Sequence, residues 1–187
     1  LYITEQYKKN PAITTVTHRN FNRIDNFSAF LTASPAVGSW HPQLTVGVQK
    51  QWAKIEHNGE TLQMDTPLFF CTLNNGIQLP YHWTLSTDIN FQSKGDYQNI
   101  YMYQNVFMMN ATLTKSFLNE HLSIHLQGID LTHGRKDGNR IYNKHMNMDV
   151  ANVSDSRELR FTIRYKFNTA KSKYKGKGAA TEEIKRL

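Results

Sequence analysis

Eight histidines, one cysteine and fifteen acidic side chains are the residues with the most obvious metal or acid–base chemistry to offer. His121 and His125 stand four apart, a spacing that on a helix sets two ligands on one face. On a strand the same spacing leaves them about 13 Å apart, too far to share an ion. No Glu lies between them to serve as a base. Asp137-Gly138-Asn139 and His57-Asn58-Gly59 have calcium-loop residue types without the full ligand spacing, and turn formation accounts for both. Cys71, the lone cysteine, excludes an internal disulfide and a zinc site built on paired cysteines. No Gly-x-Ser-x-Gly elbow is present, and the phosphate-loop and dinucleotide glycine patterns are also missing. The sequence therefore assigns no catalytic, metal-binding or cofactor-binding residue, and the chain is expected not to be an enzyme.

The net charge of +7 raises the question of a nucleic-acid partner. Its distribution answers it. Lys171, Lys173, Lys175, Lys177, Lys185 and Arg186 face only Glu182 and Glu183, so the last 17 residues hold four of the seven excess charges. Residues 169–187 form a basic, solvated tail, the rest is close to balanced, and no nucleic acid is expected as a partner.

What must be positioned is thus a surface rather than a reacting centre, and the elements that would build it are strands. In Arg160-Phe161-Thr162-Ile163-Arg164-Tyr165-Lys166-Phe167 four apolar residues interleave with four polar ones. Strand side chains point alternately to opposite faces, so this segment has one oily and one wet face. Trp83–Phe91 repeats the pattern with one lapse at Thr87. Leu44, Val46 and Val48, then Phe69, Cys71 and Leu73, then Leu122, Ile124 and Leu126 alternate likewise. Tyr101, Tyr103, Phe107, Met109, Ala111 and Leu113 are expected on one face of a single strand near 98–114. Nine segments result: 1–8, 11–20, 24–36, 42–57, 66–78, 80–93, 98–115, 119–131 and 157–168. Several exceed the globular norm of about 5–6 residues and suit the roughly 9–11 needed to cross a bilayer. No run approaches the roughly 18 apolar residues of a membrane helix.

The connections sort by kind. Short ones fall at Lys9-Asn10-Pro11, Ser34–Trp40, Leu79-Pro80 and Ser116–Asn119, and longer polar ones at His57–Asp65, Ser93–Gln98 and Thr132–Asp155. Transmembrane barrels have short periplasmic turns and long outer loops. With 157–168 running inward, 119–131 must run outward and Ser116–Asn119 must be a periplasmic turn. An extended piece at 140–152 is then expected above the membrane, as an outward extension of the preceding strand that hairpins at Ser154-Asp155-Ser156. Arg160, Arg164 and Lys166 fall on the wet face. Lys50 and Lys54 share the parity of Val46 and Trp52, which requires the upper end of that strand to pass beyond the bilayer. Trp52, Trp83, Tyr97, Tyr101, Tyr103 and Tyr142 lie near strand ends, where aromatic girdles meet the two lipid interfaces.

The expected fold is all-β, an antiparallel up-and-down meander of about nine long strands over residues 1–168, forming the incomplete, C-terminal part of a transmembrane β-barrel. Nine is odd, whereas bacterial single-chain barrels have even strand numbers, and an open sheet leaves unpaired edges in lipid. Further strands are therefore expected upstream of Leu1-Tyr2-Ile3-Thr4. A soluble all-β module, such as a carbohydrate-binding sandwich, is the alternative from another class. It would pack the same oily residues into a dry centre. A barrel serving adhesion or assembly instead of transport is the other.

Read together, Leu122–Leu131, the excursion after it, and Arg157–Phe167 ending Tyr165-Lys-Phe167 resemble the terminus of the TonB-dependent receptor-like outer-membrane β-barrel family. Trp40 opening a strand, Asn74-Asn75 before a short turn, the Leu79-Pro80 strand start and the tail Tyr174–Leu187 agree with it. This resemblance implies a plugged barrel of about 22 strands in the outer membrane. It also implies import of a small-molecule or oligomeric ligand, powered by the TonB complex through an N-terminal plug that is missing here. Outer-membrane lipid and the barrel-assembly machinery are the further partners it implies. Phe161, Ile163, Tyr165 and Phe167 match the aromatic-ended signal that this machinery recognises in a last strand, with the difference that twenty residues follow Phe167.

Overall fold

The computed structural model describes residues 2–10, 13–20, 23–153 and 155–167; the basic tail at 169–187 lies outside them. Seven strands make the main sheet: β3 (Ile24–Ala33), β4 (Trp40–His57), β6 (Leu68–Leu79), β7 (Trp83–Gln92), β10 (Val106–Phe117), β11 (Leu122–Ile129) and β14 (Glu158–Tyr165). They follow one another across it in chain order and every pair is antiparallel, an up-and-down meander. The first two segments, β1 (Tyr2–Asn10) and β2 (Ile13–Asn20), pair with each other in a separate hairpin. Among the described residues the outer edges of β3 and β14 have no strand beside them. The sheet is open.

Its pairing is staggered in one direction. The lower limit of pairing climbs from Phe117 to Lys115 across β10, from Leu79 to Ile77 across β6, and from Trp40 to Leu44 across β4. Such one-way stagger is the shear that tilts strands and lets a sheet close into a barrel; a flat, rectangular sheet would not accumulate it.

All three lower connections of this sheet are short: Ser34–Ser39, Pro80–His82 and Leu118–His121. Tyr81, His82, Leu118, Asn119 and Glu120 take the left-handed backbone conformation that reverses the chain in so few residues. The upper connections carry strands of their own. Here the structure corrects four expectations. His57–Asp65 is not a loop, because β4 folds back through Asn58-Gly59 onto β5 (Glu60–Met64). Both turn residues have positive φ (50° and 82°), as a two-residue hairpin turn demands. The segment 98–115 is not one strand. β9 (Ile100–Met102) leaves the sheet, residues 103–105 are irregular, and the Asn105 side chain takes up the Lys94 N–H at 2.8 Å. Tyr101 and Tyr103 therefore do not share a strand with Phe107. Ser93–Gln98 contains β8 (Gly95–Tyr97), which pairs with β9. Finally, 140–152 is not one extended piece: it belongs to β12 (Lys136–Tyr142) and β13 (Asn147–Val153), which turn between Asn143 and Met146, and Ser154, in the expected hairpin, lies outside the described residues.

These pieces join as a second, four-stranded sheet, β13-β12-β9-β8, at the upper end. The small fully buried apolar cluster also lies there. Ala53, Ile55 and Met64 of the β4–β5 hairpin pack against Leu62, Ile24, Tyr101 and Tyr142. Polar anchors fix the contact. Gln51, buried, donates to the Gln98 carbonyl at 2.8 Å and accepts from the Gln98 N–H at 2.7 Å. The His57 ring bonds the Asn143 carbonyl at 2.7 Å.

Candidate membrane-facing surface and strand-end sites

Register decides which side chains share a face, because directly paired residues point the same way. Starting from β14, Phe161 pairs with Leu126, Leu126 with Leu113, Leu113 with Leu85, Leu85 with Ile77 and Ile77 with Trp40. The rows above read Met109–Ile89–Leu73–Leu44–Ala33 and Phe107–Phe91–Cys71–Val46–Leu31. One face of the seven strands is therefore apolar from edge to edge. Nothing covers it among the described residues: Phe161 is 63% and Leu31 69% exposed. Seven strands at about 4.8 Å spacing and about 30 Å in length make a face on the order of 900 Å². The largest apolar patch on a soluble monomer is about 300–600 Å². Among the described residues no second layer packs on it as in a soluble sandwich; this face is built to meet hydrocarbon.

The opposite face is mostly polar, with Val106, Met108 and the neighbouring rings of Phe30 and Phe70 as its apolar exceptions. It carries Arg160, Thr162 and Arg164, then Ser123, His125 and Gln127, then Asn110, Thr112 and Thr114, with Ser86, Asp88 and Asn90 beyond. His125 has both ring nitrogens engaged, at 3.0 Å from Thr114 Oγ1 and 2.9 Å from Ser123 Oγ. No three His, Cys, Asp or Glu side chains converge among the described residues.

Polar residues on the apolar face are satisfied sideways. Asn75 and Thr87 sit in one row of it. Trp40 Nε1 donates to Asn75 Oδ1 at 3.2 Å, and Asn75 Nδ2 donates to Thr87 Oγ1 at 3.0 Å. The lapse in alternation at Thr87 is thus the acceptor of a small network, which matters because an unsatisfied polar group in lipid costs several kcal/mol. At the lower end Lys115 shares the apolar face with Trp83 and Ile124. Its ammonium lies 5.0 Å from the Trp83 ring centre and donates to the Tyr81 carbonyl. This is a lysine whose stem lies on apolar surface while its head reaches the interface. Sequence reasoning missed this residue, although its parity with Leu113 and Phe117 was visible.

Of the girdle aromatics, Trp83 and Trp52 lie on the apolar face at its lower and upper ends. Tyr97, Tyr101, Tyr103 and Tyr142 do not join them. Three belong to the second sheet, Tyr103 follows β9 and bonds the Gly138 carbonyl, and Tyr101 and Tyr142 pack on the buried cluster. Lys50 and Lys54 lie beyond the β4–β6 ladder, which ends at Gln49; Lys50 still pairs with Phe27 of β3, and Lys54 with Gln63 of β5. The four terminal residues are brought together as a stripe. Phe161, Ile163 and Tyr165 point from the apolar face of the open-edged β14, and Phe167 follows with its ring 4.6 Å from that of Tyr165.

Two buried carboxylates fasten the upper connections. Asp96 accepts from the Thr66 N–H at 2.8 Å, and burial pushes its carboxyl above the ordinary value, partly offset by the Thr66 bonds. Asp130, 2% exposed, accepts from Gly134 N–H (2.8 Å), Arg135 N–H (3.3 Å) and the Ser156 hydroxyl. Burial pushes this carboxyl up too, but those bonds and the neighbouring His133 outweigh it and hold the group below its ordinary value. Asp130 ties the end of β11 to the approach to β14.

A search of curated proteins and one of solved structures found no match to the chain. Residues 2–165 match the model of the outer membrane protein beta-barrel family. With an oily outer face, a wet inner face, sheared long strands and short turns gathered at one end, the chain belongs to that family, whose place is the outer membrane.

Proposed function

We propose that the chain is the C-terminal part of the barrel of a TonB-dependent receptor, and that the complete protein imports a ligand captured above the membrane. One observation carries this reading. Tyr97, Ile100, Met102, Ile141, Met148 and Val150 share one face of the upper sheet, and all are partly or well exposed. Gln92, from the wet face of β7, donates to the Met102 sulfur at 2.8 Å, which turns this apolar platform toward the wet side of the wall. A floppy loop would have no reason to be built into a four-stranded sheet. A platform that receives a ligand over the lumen does, since pre-ordering lowers the entropy cost of binding. In this reading an N-terminal plug contacts the TonB complex, and the ligand is a small molecule or oligomer with apolar surface.

The test uses the complete protein. In cells grown across a panel of limiting nutrients, the Ile100→Asp/Ile141→Asp variant should reproduce the nutrient-specific defect caused by loss of the gene or loss of TonB. Immobilised periplasmic TonB domain should retain the complete protein. Undiminished growth with a charged platform in a fully assembled barrel, together with no retention by TonB, would favour a barrel with a role other than transport.

The terminal stripe has its own role in this reading, as the signal by which assembly machinery engages β14. Phe161→Ser/Tyr165→Ser is expected to cut the amount of assembled barrel severalfold, seen as loss of the heat-modifiable band. Thr162→Ser on the wet face should leave it unchanged.

A further inference from the structure

Above the apolar band, on the membrane-facing side of β3, β4 and β5, lies a cleft of about 620 Å³ whose lining includes Arg23, Asp25, Trp52, Lys54 and Gln63. Trp52 pairs with Asp25 and Lys54 with Gln63, all on the parity of Val46 and Val48. Lys50 enters from below, its ammonium 5.1 Å from the Trp52 ring centre. Arg23 is held by Asp25 at 2.8 Å, and the Gln63 amide is turned to Asp65. Glu56, the next outward-facing acid on β4, pairs with Lys144 at 3.2 Å. Lys50 and Lys54 form no ion pair among the described residues, so the cleft keeps an excess of positive charge.

Directly beneath it runs a second depression, about 370 Å³, whose lining comprises Ala29, Leu31, Val46, Val48 and Phe69 from the apolar face together with Phe30 and Gly47. Its lining is almost wholly apolar, and it is continuous with the lipid-facing surface. An oily groove that opens upward into a cationic, tryptophan-bearing cleft has the polarity of an amphiphile standing in the outer leaflet. Its acyl chains lie below and its anionic head above. Lys50 and Lys54 are four strand residues apart, about 13 Å, which separates two anionic groups rather than chelating one. Lys54 also lies beside Arg23, because Ile24 pairs with Ala53.

We propose that this groove and cleft hold a phosphorylated glycolipid of the outer leaflet. One phosphate sits between Lys54 and Arg23, the other at Lys50, and an acyl chain lies along Val46, Val48 and Phe69. The consequence is a fixed lipid that marks the height and rotation of this wall in the membrane.

The experiment titrates fluorescent lipid A, a diphosphorylated acylated disaccharide, onto the purified complete protein in detergent. The expected result is that Lys50→Gln/Lys54→Gln weakens binding about tenfold or more. Dephosphorylated lipid should bind the parent as poorly, and Lys50→Arg/Lys54→Arg should restore binding. Lys94→Gln/Arg140→Gln, which removes two charges from the upper connections, should leave it unchanged. Equal binding by the parent and the Lys→Gln variant would overturn the proposal. So would displacement of the lipid by inorganic phosphate at the lipid's own concentration, which would identify a free-anion site instead.

Discussion

Ile89→Arg is expected to stop the barrel from assembling, while Asn90→Arg, one residue further along β7, leaves assembly near the parent level. Ile89 lies in the row Met109–Ile89–Leu73–Leu44 of the apolar face. Six strand residues separate it from Trp83 at the lower interface. At about 3.4 Å per residue and a tilt near 40°, that places it about 15 Å above Trp83, half the roughly 30 Å hydrocarbon layer. An arginine on the lipid face at that depth costs about 2–4 kcal/mol, a large part of the 5–15 kcal/mol by which a typical domain is stable. Asn90 is on the wet face and gives up only its bond from Thr72 Oγ1, at 3.2 Å. The loss there is about 1 kcal/mol or less. The measurement is the folded fraction of the complete protein by heat-modifiable migration, with urea titration in phospholipid vesicles for the midpoint. Equal midpoints for Ile89→Arg and the parent would mean that this face does not meet lipid.

Asp130→Asn is expected to cost about 1–3 kcal/mol at neutral pH and to remove an acid dependence that the parent shows. The carboxylate accepts from two backbone N–H groups and a hydroxyl. An amide in its place has only one acceptor oxygen and turns an NH₂ donor against other donors. Since the folded carboxyl titrates below the ordinary aspartate value of about 3.9, its stabilisation is complete above about pH 4 and is lost as the pH falls through the folded value. Asp96 has the opposite sign. Its raised carboxyl is penalised when charged, so that anchor gains as the pH falls through its folded value. Hydrogen exchange, corrected for the intrinsic rate at each pH, should show residues 130–135 losing protection in acid while the contact between Thr66 and Asp96 keeps its own. Loss of protection at both places together would contradict the assignment of signs.

Alternation along the chain determined a good deal. It located all seven strands of the sheet, their two faces and the side with the short turns, because the period-2 pattern is a local property that lipid and water enforce at every residue. It also placed Arg160 and Arg164 on the wet face. What it could not determine was decided between segments distant in sequence. Tyr101 continues the parity of Phe107, yet it packs on the buried cluster of Ala53, Ile55 and Met64, because β9 pairs with β12, some forty residues on. Asn75 and Thr87 look like flaws in two separate strands, and become a satisfied network only when register sets them beside each other and beside Trp40. The upper sheet, the Asp130 knot and the cationic cleft are all of this second kind. Pairing partners are chosen by the free energy of the whole packed assembly, which no single strand's pattern contains.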